Sequence, residues 1–121
     1  MTIEQGLRTG WEQIDDDECR RAAGTVELIG RRWSSAIMLG IARGAGRFSE
    51  ILGSVGGLSD RMLALRLKEL GRAGLIDRVV EPTTPVTVHY LLTARGRDLL
   101  AALQPLVRYG QLWEGAESRH D

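Results

Sequence analysis

The stretch from Ser59 to Ala73 constrains the fold of this chain more than any other. In it Leu63, Leu67 and Leu70 recur at i, i+4 and i+7. At ~100° per residue these leucines form one helical stripe, and Arg61, Leu65, Lys68 and Arg72 fall on the opposite side with Ala64 at its edge. Ser59 is a strong N-cap residue and sets the start of the helix. A stripe of this kind has to be buried against neighbouring elements. The neighbour in sequence is Phe48-Ser49-Glu50-Ile51-Leu52, a short apolar helix closed by the glycine-rich segment Gly53 to Gly57. The chain therefore carries a short helix, a glycine turn and a longer helix with a basic outer face.

The remaining elements arrange themselves around this pair. Cys19 to Gly30 places Ala22, Ala23, Val26 and Ile29 at helical spacing and is stopped by Gly30. Trp33 to Ala42 reads as a buried helix, with Trp33 as its aromatic anchor, ended by Arg43-Gly44-Ala45-Gly46. Two β-rich runs follow, Leu75 to Glu81 and Val86 to Leu92, joined by Pro82-Thr83-Thr84-Pro85 as an antiparallel hairpin. Val86, Val88, Tyr90 and Leu92 alternate onto one face of it. Thr93 caps a last helix in which Leu99, Leu103, Leu106, Gly110 and Trp113 form a long apolar stripe, and Pro105 is expected to kink or split that helix. The fold class is mainly α with a small β-hairpin (α+β), in the order of a winged helix-turn-helix: a three-helix core, a wing and terminal dimerisation helices.

With 121 residues, 43% hydrophobic and 26% charged, the chain has the size and composition of one soluble domain. The expected organisation is an acidic extension over 1–18, the winged helix-turn-helix over 19–93, a C-terminal dimerisation helix or kinked helix pair over 94–115, and a tail over 116–121. No run is apolar enough for a membrane span and no secretory leader is read at the N-terminus, so a cytoplasmic location without membrane association is expected.

The formal net charge is zero, but it is not evenly spread. Residues 1–18 hold six carboxylates and one arginine, a balance of −5. Residues 19–97 hold 13 basic and 6 acidic residues, or +7, and residues 98–121 come to −2. An arginine-rich middle with a basic helix face is what double-stranded DNA attracts, since binding follows the local field and the major groove admits one helix. The competing reading is a protein-interaction module that turns the same basic helix toward an acidic partner.

Block by block, the sequence resembles the HxlR family of bacterial winged-helix transcriptional regulators, relatives of the MarR group. The resemblance is carried by a cysteine at the start of the first helix, Leu28-Ile29-Gly30-Arg31-Arg32-Trp33, Arg47-Phe48-Ser49-Glu50-Ile51, and Leu58 through Leu70. It continues through Gly74-Leu75-Ile76, Val88-His89-Tyr90-Leu91-Leu92-Thr93 with Gly96, and Leu103-Gln104-Pro105-Leu106 before Tyr109-Gly110. It implies a homodimer on a pseudo-palindromic operator, more often a repressor, with Ser59 to Arg72 in the major groove and the Glu81 to Val86 wing along the backbone. Arg61, Ala64, Leu65 and Lys68 are expected to face bases or sugar edges. Ser59, Arg66, Arg72 and Arg47 are expected at phosphates or in orienting the helix. Leu65 stands where such helices often carry a polar residue, which points to apolar contact with a thymine methyl. The wing tip has no Lys or Arg, which leaves Thr83 and Thr84 as its contacts.

Cys19 is the single cysteine, which excludes an intramolecular disulfide and a multi-thiolate zinc site. It lies beside Arg20 and Arg21 at a helix start, features that favour reactivity, opposed by the carboxylates of Asp15 to Glu18. Some members of the family sense oxidants or electrophiles at this position. The alternatives for Cys19 are a redox sensor and an inert, partly buried thiol. His89 and His120 do not join it in any metal-ligand spacing, so no metal and no cofactor are expected. Ser34, Ser35, Ser49 and Ser59 lack a histidine and carboxylate arranged for nucleophilic catalysis, so no enzyme is expected either. Leu7, Trp11 and Ile14 form an apolar stripe on the acidic extension. Together with Leu99, Leu103, Leu106, Tyr109 and Trp113 they are candidates for a dimer interface or for a pocket holding a small-molecule effector.

Overall fold

The structure is a computed structural model and describes residues 13–120, with side chains to Glu114. The chain forms two compact units, one ending at Arg32 and one starting at Trp33. Leu7 and Trp11 lie outside the described residues.

The first unit contributes α1 (Asp16–Gly30). It begins three residues before the expected start at Cys19, and the reason is local. The Asp15 carboxylate accepts the Glu18 backbone N–H at 2.8 Å. Asp16, Asp17 and Glu18 occupy the first turn, where the positive end of the helix dipole favours them. The run of acids is therefore the opening of the helix as well as the end of the acidic extension.

The second unit opens with α2 (Ser34–Ala42), whose Ser34, Ile37, Met38, Gly40 and Ile41 are buried. Trp33 precedes it in the left-handed region at φ 82°, a costly backbone state for a residue with a Cβ. Its carbonyl still accepts the Ile37 N–H at 2.9 Å. Its ring, half-buried, lies against Gly57. The aromatic anchor thus sits at the mouth of the helix rather than in the deepest core.

Next come α3 (Phe48–Ser54) and α4 (Asp60–Arg72). Ile51, Val55 and Leu58 bury the turn between them, and Leu63, Leu67 and Leu70 bury the leucine stripe against α2. The Ser59 hydroxyl accepts the Met62 N–H at 3.1 Å, as its cap position requires. At the other end Gly74, at φ 77°, lets Leu75 N–H return to the Leu70 carbonyl and Gly74 N–H to that of Gly71, both at 3.0 Å. These are the two bonds of a Schellman turn. It aims the chain directly into the sheet.

The strands β1 (Ile76–Glu81) and β2 (Thr87–Leu92) pair antiparallel, with Ile76 opposite Leu92 and Glu81 opposite Thr87. The Tyr90 N–H donates to the Gly46 carbonyl at 2.7 Å, so the segment between α2 and α3 lies on the outer edge of β2. Val88, Tyr90 and Leu92 are half-buried on β2, whereas Val86 is 62% exposed and stands in the loop. The hairpin's inner face is therefore one residue pair shorter than the alternation predicts.

Thr93 caps the last helix as expected: its hydroxyl accepts the Gly96 N–H at 3.0 Å and donates to the Gly74 carbonyl at 2.6 Å. Gly96 is buried so tightly that a Cβ there would be driven into the Leu75 carbonyl oxygen. The helix α5 then runs unbroken from Ala94 to His120. Of the two expected effects of Pro105, a kink or a split, the split does not occur, and the helix runs past the expected end near residue 115. Pro105 removes one N–H donor and crowds the carbonyl of Ala101, but more than two turns on each side keep their own bonds and carry the helix through.

Candidate nucleic-acid interface

Burying Leu63, Leu67 and Leu70 turns Arg61, Ala64, Leu65, Lys68 and Arg72 outward, and all five are exposed. Leu65, 47% exposed, is the apolar residue among cations. The face is small and positive, with Ala64 leaving room for the helix to approach a surface closely. Ser59 is committed through its hydroxyl to the cap.

Arg66 is placed differently from the others. Its guanidinium lies 2.7 Å from the Glu69 carboxylate, and the two side chains are only 13% and 18% exposed. Geometry pairs it within the helix, an i, i+3 arrangement already available in the sequence. Arg66 stiffens the helix rather than extending from it.

Arg47, at the N-cap of α3, is exposed. The Glu50 carboxylate turns back beneath it to accept the N–H groups of Arg47 at 2.9 Å and of Gly46 at 3.1 Å. Those two backbone donors, followed by the charge of Arg47, hold the Glu50 carboxyl below the usual value of 4.5. Glu50 therefore serves as the cap that fixes where Arg47 leaves the fold.

A residue missed by sequence reasoning completes the basic surface. Arg78 on β1 joins Lys68 and Arg72 around a cleft of about 590 Å³ between α4 and the hairpin, floored by Phe48, Ile76 and Tyr90. The alternation of β1 was the signal that could have found it, since Arg78 is two residues from buried Ile76. At the wing tip the Thr83 hydroxyl donates to the Pro85 carbonyl at 2.7 Å and lies 3.0 Å from that of Thr87. Thr83 closes the loop, while Thr84 is exposed at its end. His89 lies 3.5 Å from the Glu81 carboxylate across the hairpin. Among the described residues no cluster of His, Cys, Asp or Glu is arranged to hold a metal ion. Cys19 is exposed on α1.

On α5, Leu106, Tyr109, Leu112 and Trp113 are each more than half exposed, whereas Leu99 and Leu103 are half-buried. Ile14, in the first unit, is 49% exposed. Among the described residues no helix is long and apolar enough to cross a membrane.

A cationic helix presented by a glycine turn, with a two-stranded wing beside it, defines the class of winged helix-turn-helix DNA-binding proteins. Within that class the chain belongs to the HxlR-like helix-turn-helix family, whose model matches residues 28–118. It is 37% identical over 95 residues to the HTH-type transcriptional regulator YvaP of Bacillus subtilis, covering 78% of this chain and 88% of that protein. It is 39% identical over 88 residues to the HTH-type transcriptional regulator YodB of the same organism, covering 73% and 79%. The reduced form of YodB superposes with a TM-score of 0.72 at 35% identity, over 77% of this chain and 91% of that one. The redox regulator HypR in its oxidized form gives 0.68 at 30%, over 75% and 94%. The chain is thus a DNA-binding transcriptional regulator, and the reading as a protein-interaction module gives way to DNA.

Proposed function

We propose that the protein is a homodimeric repressor that reads a pseudo-palindromic operator. The observation that carries the reading is the exposed face of α4, where three cations and two small or apolar residues are turned outward by the buried leucines. In this reading α4 enters the major groove. Arg61 and Lys68 reach base edges, Ala64 permits close approach and Leu65 meets a thymine methyl. Arg72, Arg47 and Arg78 hold phosphates on either side, Thr84 touches the backbone from the wing, and Arg66 acts through the helix it braces. The uncovered apolar residues of α5 supply the dimer contact, and two-fold symmetry in the protein demands the same symmetry in the operator.

Selection of preferred sites from random DNA tests this reading. The expected product is a two-fold symmetric sequence whose half-sites lie about one or two helical turns apart, occupied by two chains. An asymmetric site filled by one chain would overturn it. A lacZ fusion to the selected promoter should be more active when the gene is deleted, and lower activity in the deletion strain would mark an activator.

Cys19 is the one thiol in the chain and is exposed, so a response of DNA binding to a thiol oxidant would have to pass through it. The relatives YodB and HypR, described in reduced, diamide-treated and oxidized forms, support such a response. Cys19→Ser should abolish any loss of operator binding caused by diamide. Retention of that loss in the variant would exclude the sensor.

A further inference from the structure

A groove of about 830 Å³ lies between α2 and the middle of α5, within the range of small-molecule sites. Leu39, Leu100 and Val107 give it an apolar floor, and Arg43, Arg97 and Arg108 stand around it. No carboxylate lines it. Arg97 donates to the Leu92 carbonyl at 3.1 Å. Among the described residues neither Arg43 nor Arg108 has an ion-pair partner, so two guanidinium groups face an apolar trough without a countercharge.

The groove meets the apolar stripe of α5 only at Leu103. At ~100° per residue Leu99, Leu103, Leu106, Gly110 and Trp113 centre on one line of the helix, while Leu100, Gln104, Val107 and Arg108 centre about 120° away. A second copy packed on the stripe leaves the groove side of the helix available. The DNA-facing residues of α4 do not line it.

We infer that this groove is a binding site for a small amphiphilic anion, a carboxylate on an aliphatic or aromatic body. Its charged end pairs with Arg43 and Arg108, which present the forked donors that suit a carboxylate, and its apolar body covers Leu39, Leu100 and Val107. A neutral ligand of the same shape leaves the guanidinium groups unanswered and binds more weakly. A cation is repelled.

The test uses the full chain and 8-anilinonaphthalene-1-sulfonate, an anionic fluorescent probe, displaced by decanoate or by decanol. One probe per chain is expected, displaced by decanoate at concentrations at least tenfold lower than decanol. Arg43→Gln with Arg108→Gln should weaken probe binding at least tenfold and abolish the preference for decanoate. Equal displacement by the two, or an unchanged double variant, overturns the site. Should the double variant lose its helical circular dichroism, Arg108→Gln alone, on an exposed helix position, carries the same expectation at about threefold. Loss of probe binding in Leu106→Asp with retention in the arginine variants would assign the probe to the apolar stripe and defeat the proposal. A change in sedimentation of the arginine variants without a change in probe binding would assign the groove to a contact between copies, with the same consequence.

Discussion

The helices α4 and α5 both carry leucines at helical spacing, yet they spend them differently. In α4 the stripe is consumed inside its own unit: Leu63, Leu67 and Leu70 are no more than 4% exposed. In α5 only the first part of the stripe is covered, and Leu106 and Trp113 remain 61% and 63% exposed. The same periodicity thus has two outcomes, decided by what lies opposite. α4 faces α2 and β1, whereas past Leu103 the large apolar residues of α5 stay exposed. A buried stripe frees the opposite face to carry function, which in α4 is the cationic surface. An unburied stripe is itself available as a functional surface, and in the proposed dimer a second copy of the chain covers it.

The largest effect that can test this contrast comes from Leu63→Ala. Truncating this fully buried side chain should cost about 2–5 kcal/mol and lower the midpoint of thermal unfolding sharply. A loss below about 0.5 kcal/mol would mean that the α4 stripe is not part of the core. Gly96→Ala belongs beside it, since the added carbon meets backbone rather than a flexible side chain; a cost of about 1–3 kcal/mol is expected from the same unfolding curves.

Leu106→Asp makes the opposite prediction for α5. Sedimentation should report at least a tenfold weaker dimer, while the fold of the monomer survives because no core contact is removed. Unfolding of the monomer would show that the exposed stripe is structural after all. Ser59→Ala should cost about 1 kcal/mol, by loss of the cap alone.

The smallest effect belongs to Glu50. Its folded carboxyl is held below its unfolded value, so its contribution to stability is present above that value and lost as pH falls through the folded one. Wild type should therefore exceed Glu50→Gln in stability at pH 7, and the gap should close on acidification below about pH 4.5. A gap that does not narrow on acidification would break the assignment of Glu50 as a charged cap.

What was legible in the sequence follows the range of the interactions. Ser59, Thr93 and the leucines of α4 act over three to seven residues, and their spacing alone places them. Asp15 and Glu50 act just as locally, but as carboxylates in acidic or loop segments they read as charge rather than as caps. The Arg66–Glu69 pair was open to the same reading. The alternation of β1 gives the face on which Arg78 lies, but that this face meets Lys68 and Arg72 depends on the Schellman turn at Gly74, which folds β1 back beside α4. Trp33 combines a left-handed backbone with a ring packed against Gly57, which no pattern within its own helix announces. The continuity of α5 through Pro105 shows the converse, a strong local signal outweighed by the turns around it.

The central claim is that the outward face of α4 reads DNA. Fluorescence anisotropy of the reduced protein against DNA upstream of its own gene and against scrambled DNA, at about 150 mM salt, tests it most directly. Tight binding to one sequence is expected. Arg61→Ala should weaken it by about 1–3 kcal/mol and relax the preference, and Arg72→Ala should weaken both DNAs alike and reduce the salt slope by about one. Arg61→Ala binding a selected operator with unchanged affinity and preference would contradict it.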